Sequence, residues 1–136
     1  MPNLNPAMFA TPAASIWTGT GERLLRATRL WTMFAQSRRN PRQAVGLLLG
    51  PATTSFLLLM EMTVTAWPEP FITCPPCANI TSPDEATLMA LFDHAEADNP
   101  TAAHRLLADM LPHAIRERLW QTASSVIAET VGAPWR

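Results

Sequence analysis

At 136 residues, 48% apolar and 15% charged, the chain is long enough for one domain with a single core and too short for a second. A net charge of −1 argues against the broad positive surface of a nucleic-acid binder. Its two cysteines, in a chain read as cytoplasmic, are expected to be reduced. Charged residues also fall below the usual share of about a quarter, which points to self-association or a protein partner.

The charge is unevenly placed. Residues 1–42 hold six arginines against one acid, and residues 43–136 hold four arginines against ten acids. The two parts should attract each other, within the fold or between subunits. The N-terminal MPNLNPAMFATPAASIW has neither a basic start nor a continuous apolar run, so it is not expected to be a signal peptide. Its prolines and its lack of helical period predict an extended arm over residues 1–19, ahead of one helical domain over 20–136.

The first helix is predicted to start near Thr20, as N-cap, and to run to about Arg38. Leu24, Ala27, Trp31 and Phe34 form one stripe, while Glu22, Arg26, Arg29 and Gln36 fall largely on the opposite, outer face. Asn40-Pro41 starts a second helix, with proline at a position where its missing N–H is not needed. From Val45 to Trp67 that helix is apolar on all sides, with Glu61 as its only charge, so something must cover it. Gly50-Pro51 inside it predicts a kink, or two short helices meeting, and Trp67-Pro68 ends it.

Residues 68–81, PEPFITCPPCANIT, form a proline-rich loop. Ser82-Pro83-Asp84-Glu85 is a capping box that opens a third helix carrying Leu88, Leu91, Phe92 and Ala95. Asn99-Pro100 opens a fourth with Ala103, Leu106, Leu107 and Met110, closed by Pro112. The fifth turns Ile115, Leu119, Ala123, Val126, Ile127 and Thr130 inward and stops at Gly132 before Pro134. The fold class is all-α: about five helices around a kinked apolar central helix over residues 41–67.

That central helix has the length of a membrane span, with Arg38, Arg39 and Arg42 at one end. Glu61 and the Thr53-Thr54-Ser55 cluster oppose that reading, because an acid near a membrane centre costs at least ~2.5 kcal/mol. A buried helix of a soluble protein is therefore expected, with membrane association as the alternative.

Chemistry has few candidates. Cys74 and Cys77, in Cys-Pro-Pro-Cys, could chelate a metal or form a redox disulfide, since one turn brings both sulfurs to one side. Zinc wants more ligands than two, and His94, His104 and His113 have no close mutual spacing. The pairs His94/Asp98 and Asp109/His113 each offer an incomplete site, and Pro112 interrupts the second. Glu61 reads as the wet strip of its helix or as a partner for an arginine. Gly19-Thr20-Gly21 lacks the context of a phosphate loop. No catalytic residue, metal or other cofactor is expected.

From about Arg26 onward the chain shows an aromatic first helix, an Arg-flanked apolar second helix and a proline- and cysteine-bearing loop. A capped helix with Glu85 and Leu88 follows, then the segment Leu106-Leu107-Ala108-Asp109. This order resembles a small uncharacterised family of alphaproteobacterial proteins. The resemblance implies an order of elements and no reaction. Such proteins carry adjacent cysteines after a proline, whereas Pro75 and Pro76 separate them here, which weakens any shared metal or redox role. The expected function is a small non-catalytic helical interaction or regulatory protein acting as a homodimer. The alternatives are a membrane-associated protein and a thiol or metal module built on the Cys74–Cys77 loop.

Overall fold

Three of the helix starts in this chain are set by a short polar side chain placed before proline: Asn40-Pro41, Ser82-Pro83 and Asn99-Pro100. The computed structural model describes residues 19–131. Five helices result: α1 (Thr20–Gln36), α2 (Arg42–Ala66), α3 (Pro83–Glu96), α4 (Pro100–Leu107) and α5 (His113–Val131). No strand occurs among the described residues, and the all-α expectation holds. Of the N-terminal arm expected over residues 1–19, residues 1–18 lie outside the described residues, as does the stop at Gly132 and Pro134.

Helix α1 buries Leu24, Leu25, Ala27, Thr28, Arg29, Trp31 and Thr32. Thr20 is its first helical residue and not its cap, since Gly19 precedes it at φ 60° and no side chain closes the end. Arg29, predicted to lie on the outer face, is 3% exposed. Its burial has a specific cause, an acid from α3, described below.

Asn40 accepts a hydrogen bond from the Arg42 amide at 2.9 Å and so launches α2. The predicted kink is sharp, and it divides α2 into a first arm (Arg42–Leu49), a 3-10 turn (Gly50–Ala52) and a second arm (Thr53–Ala66). Gly50 takes φ 51°, a left-handed geometry that glycine adopts without a Cβ clash. Pro51 follows as the second residue of the 3-10 turn, and the Thr53 hydroxyl donates to the Gly50 carbonyl at 2.7 Å. Arg42 Nη1 reaches Thr54 Oγ1 at 3.3 Å, although on a straight helix those residues would stand ~18 Å apart along the axis. The arms therefore fold toward each other around the corner.

Val45, Leu49, Ala52, Phe56, Leu59 and Met60 form the buried side of α2. Burying each such large side chain contributes on the order of 1.5–3 kcal/mol. Coverage is one-sided, because the main neighbours of α2 are α1 and α5. Leu47 is 85% exposed and Leu58 53% exposed. The sequence had suggested a helix covered nearly all round; the bend leaves too few neighbours for that.

The capping box of α3 forms as predicted, with Ser82 and Glu85 each bonded to the other's amide. Asn99 caps α4 by accepting from the Ala102 amide at 3.1 Å. Helix α5 packs against the second arm of α2, α3 and α4, and buries Leu119, Ala123, Val126, Ile127 and Thr130.

Among the described residues, one buried ion pair ties these parts together. Arg29 donates from Nε and Nη2 to the Glu85 carboxylate at 2.8 and 3.2 Å, and from Nη1 and Nη2 to the carbonyls of Ala78 and Ile80 at 2.8 and 2.6 Å. Removing one member of a buried pair leaves the other charge uncompensated. Arg29→Ala should therefore lower the unfolding free energy by about 3–5 kcal/mol in chemical denaturation. Arg26→Ala, which removes only the exposed i,i+4 pair with Glu22, should change it by less than ~0.5 kcal/mol.

Candidate functional site

The loop between α2 and α3 carries the only cysteines, and the first turn of α3 holds it. Asp84 accepts from the Trp67 indole at 3.0 Å and from the Ile72 amide at 2.8 Å. Glu85 accepts from the Ser82 and Cys74 amides at 2.9 and 3.0 Å in addition to Arg29. The Ser82 hydroxyl donates to the Ile72 carbonyl at 2.6 Å. Phe71 is buried, with its ring edge-on to Trp67 at 5.2 Å. Two acids that a sequence reader assigns to helix capping thus also organise a loop of more than a dozen residues.

Cys74 and Cys77 are both free thiols, the first half-buried and the second exposed. Cys74 lines a cavity of about 210 Å³ with Arg29, Met33, Gln36, Thr73 and Pro75. Burial pushes the Cys74 thiol pKa up, and the adjacent Glu85 carboxylate pushes it further in the same direction. A reactive cysteine needs the reverse, a positive surrounding that favours the thiolate. Arg29 is the nearby cation, but Glu85 already neutralises it. Iodoacetamide labelling at pH 8, read by peptide mass, should therefore modify Cys77 several-fold faster than Cys74; equal rates would contradict this ordering.

A second feature is the open flank of α2. In the second arm Thr54, Leu58, Glu61 and Thr65 are exposed at helical spacing. Beside them a crevice of about 300 Å³ runs between α2 and α5, lined by Glu61, Met62, Thr65, Ala66, Ile115 and Arg118. Glu61 is thus on the wet side of its helix, as predicted, with an arginine across the crevice. Leu47, in the first arm, borders a separate hollow with Phe34, Arg39, Asn40, Gln43 and Ala44.

The third feature lies where α4 meets α5. Pro112 turns the chain so that the His104 and His113 rings stack, with centroids 4.8 Å apart and planes inclined at 21°. His104 Nε2 lies 2.9 Å from Glu117 Oε1, and Gln121 donates to Glu117 Oε2 at 2.9 Å. These hydrogen bonds, that from His104 foremost, lower the Glu117 pKa and keep it ionised. His104 Nδ1 is buried and has no hydrogen-bond partner. Arg116 donates to the His104 carbonyl at 3.2 Å, which fixes the end of α4 against α5.

His94, His104 and His113 have no close mutual spacing in the sequence, yet the fold brings His104 and His113 into contact. Sequence spacing does not show how a proline turn overlays two helix ends. The available signal was His113 and Glu117 at i,i+4, which share a helix face. The pairs that spacing did suggest do not form one-turn sites. Helix α3 ends at Glu96, so Asp98 lies beyond it with φ 54°, and Asp109 sits in the turn before α5. No protein-family model, curated protein or solved structure matches the chain.

Proposed function

We propose that the protein is a non-catalytic helical interaction module of the cytoplasm that acts as a homodimer. The crevice between the second arm of α2 and α5 is the surface that two copies share. The observation that carries this reading is the composition of the crevice and its border: half-buried Met62 and Ile115 line it, exposed Leu58 stands on the adjoining stripe of the second arm, and Glu61 and Arg118 flank them. In a two-fold contact residue i of one copy meets residue j of the other, and j meets i. A patch bearing one acid and one arginine is complementary to itself under that operation, with Glu61 opposite the second copy's Arg118. Charge complementarity of this kind sets register and suppresses wrong partners.

By length and composition Arg42–Ala66 would suffice to cross a membrane. The sharp corner at Gly50-Pro51 favours the aqueous reading instead. The second arm has 14 residues, about 21 Å of helix, against a hydrocarbon thickness of about 30 Å. Its exposed stripe also alternates Leu58 with Thr54, Glu61 and Thr65, a mixture suited to a protein surface.

Sedimentation velocity without detergent tests the proposal. The chain, of 15.0 kDa, should sediment at twice that mass. Glu61→Arg and Arg118→Glu should each yield monomer, and the charge-swapped double variant should restore the dimer. A monodisperse monomer at all concentrations, or a double variant no better than the singles, would remove this surface. Material soluble only in detergent would favour the membrane reading.

A further inference from the structure

The cluster at the α4–α5 turn shares no residue with the crevice of the proposed dimer and has a chemistry of its own. We propose that His104, His113 and Glu117 bind a divalent transition-metal ion of the zinc class. The nearest ligand atoms of the three side chains lie within 4.8 Å of one another. Two imidazoles and a carboxylate form a donor set suited to zinc, and three protein ligands leave a fourth tetrahedral position for water or a further donor. Their sequence placement makes such a site economical. His113 and Glu117 stand one turn apart on α5, and Pro112 brings His104 of α4 alongside them.

The side chains already meet in part. The carboxylate of Glu117 only accepts, so the hydrogen between it and His104 Nε2 belongs to the imidazole. For an ion to bind there, the neutral ring passes to its other tautomer: Nε2 gives up that hydrogen, Nδ1 takes one up, and the freed Nε2 lone pair holds the metal with no net proton released. In a tetrahedral site with bonds of 2.0–2.1 Å, donor atoms sit about 3.4 Å apart. Closing from 4.8 Å to that spacing requires His113 to turn out of its stack on His104, since nearly parallel rings do not aim their lone pairs at one point. His113 is exposed, so nothing packed in the core has to move.

The surroundings hold the less mobile ligands. Gln121 donates to the far oxygen of Glu117 and sets the plane of the carboxylate, the kind of supporting bond that tunes metal affinity by 10–100-fold. Arg116 clamps the His104 backbone. Ile115 and Arg118 project from another side of α5, so the metal site and the crevice of the proposed dimer are separate surfaces.

Calorimetric titration of the untagged full chain with zinc chloride, and with cobalt chloride followed by visible absorption, tests the assignment. One ion per chain should bind, and the Cys74→Ser/Cys77→Ser double variant should bind it equally well. His113→Ala, which removes an exposed ring, should abolish binding with an unchanged circular dichroism spectrum. Gln121→Ala should weaken binding by about 10–100-fold. No saturable binding would overturn the proposal. Binding lost in the double cysteine variant but kept in His113→Ala would overturn it equally, and would assign the ion to the Cys74–Cys77 loop.

Discussion

The Arg29–Glu85 pair is the constraint on which the rest of the structure depends. An isolated charge in that position would be expensive to bury, and a bare pair would return little net stability. Here every side-chain nitrogen of Arg29 and both carboxylate oxygens of Glu85 are hydrogen-bonded. Glu85 accepts from Arg29, Ser82 and Cys74, and Arg29 also supplies the carbonyls of Ala78 and Ile80. A fully satisfied polar network in a low-dielectric setting is stiff and specifies one arrangement. It fixes α1 against α3 and holds the intervening loop to both. It also joins the basic early part of the chain to the acidic later part, where opposite charges were expected to meet.

This arrangement changes what the Cys-Pro-Pro-Cys motif means. In sequence it is the one recognisable chemical motif; in the fold it is the span of a strap. The carboxylate that accepts the Cys74 amide also disfavours its thiolate. Pro75 and Pro76 form a turn closed by the Ala78 amide on the Pro75 carbonyl at 3.0 Å. Arg29 then takes up the Ala78 carbonyl. The motif is therefore tied to loop geometry, and the groups with better prospects for chemistry lie at the far end of α4.

Much of the architecture was legible in the sequence because its signals are local. Ser82 with Glu85 and Asn99 with Pro100 marked helix starts, Gly50-Pro51 marked the corner, and the Leu119, Ala123, Val126, Ile127 stripe marked the inner face of α5. What escaped was long-range. Helical periodicity put Arg29 outside, and it is an acid 56 residues away that draws it in. The stacking of His104 on His113 depends on how Pro112 overlays two helix ends, and the open flank of α2 on how sharply its arms close. None of these has a signature at the spacing of one helical turn.

Native-state amide hydrogen exchange reads the central claim most directly. The Cys74 and Ser82 amides lie outside any helix, yet both donate to the buried Glu85 carboxylate. If the ion pair organises the molecule, these two amides exchange as slowly as those of the α1 and α3 cores, through global unfolding. Exchange at the rate of an unstructured peptide, with the helices still protected, would show that the loop opens independently and that the pair does not govern the fold.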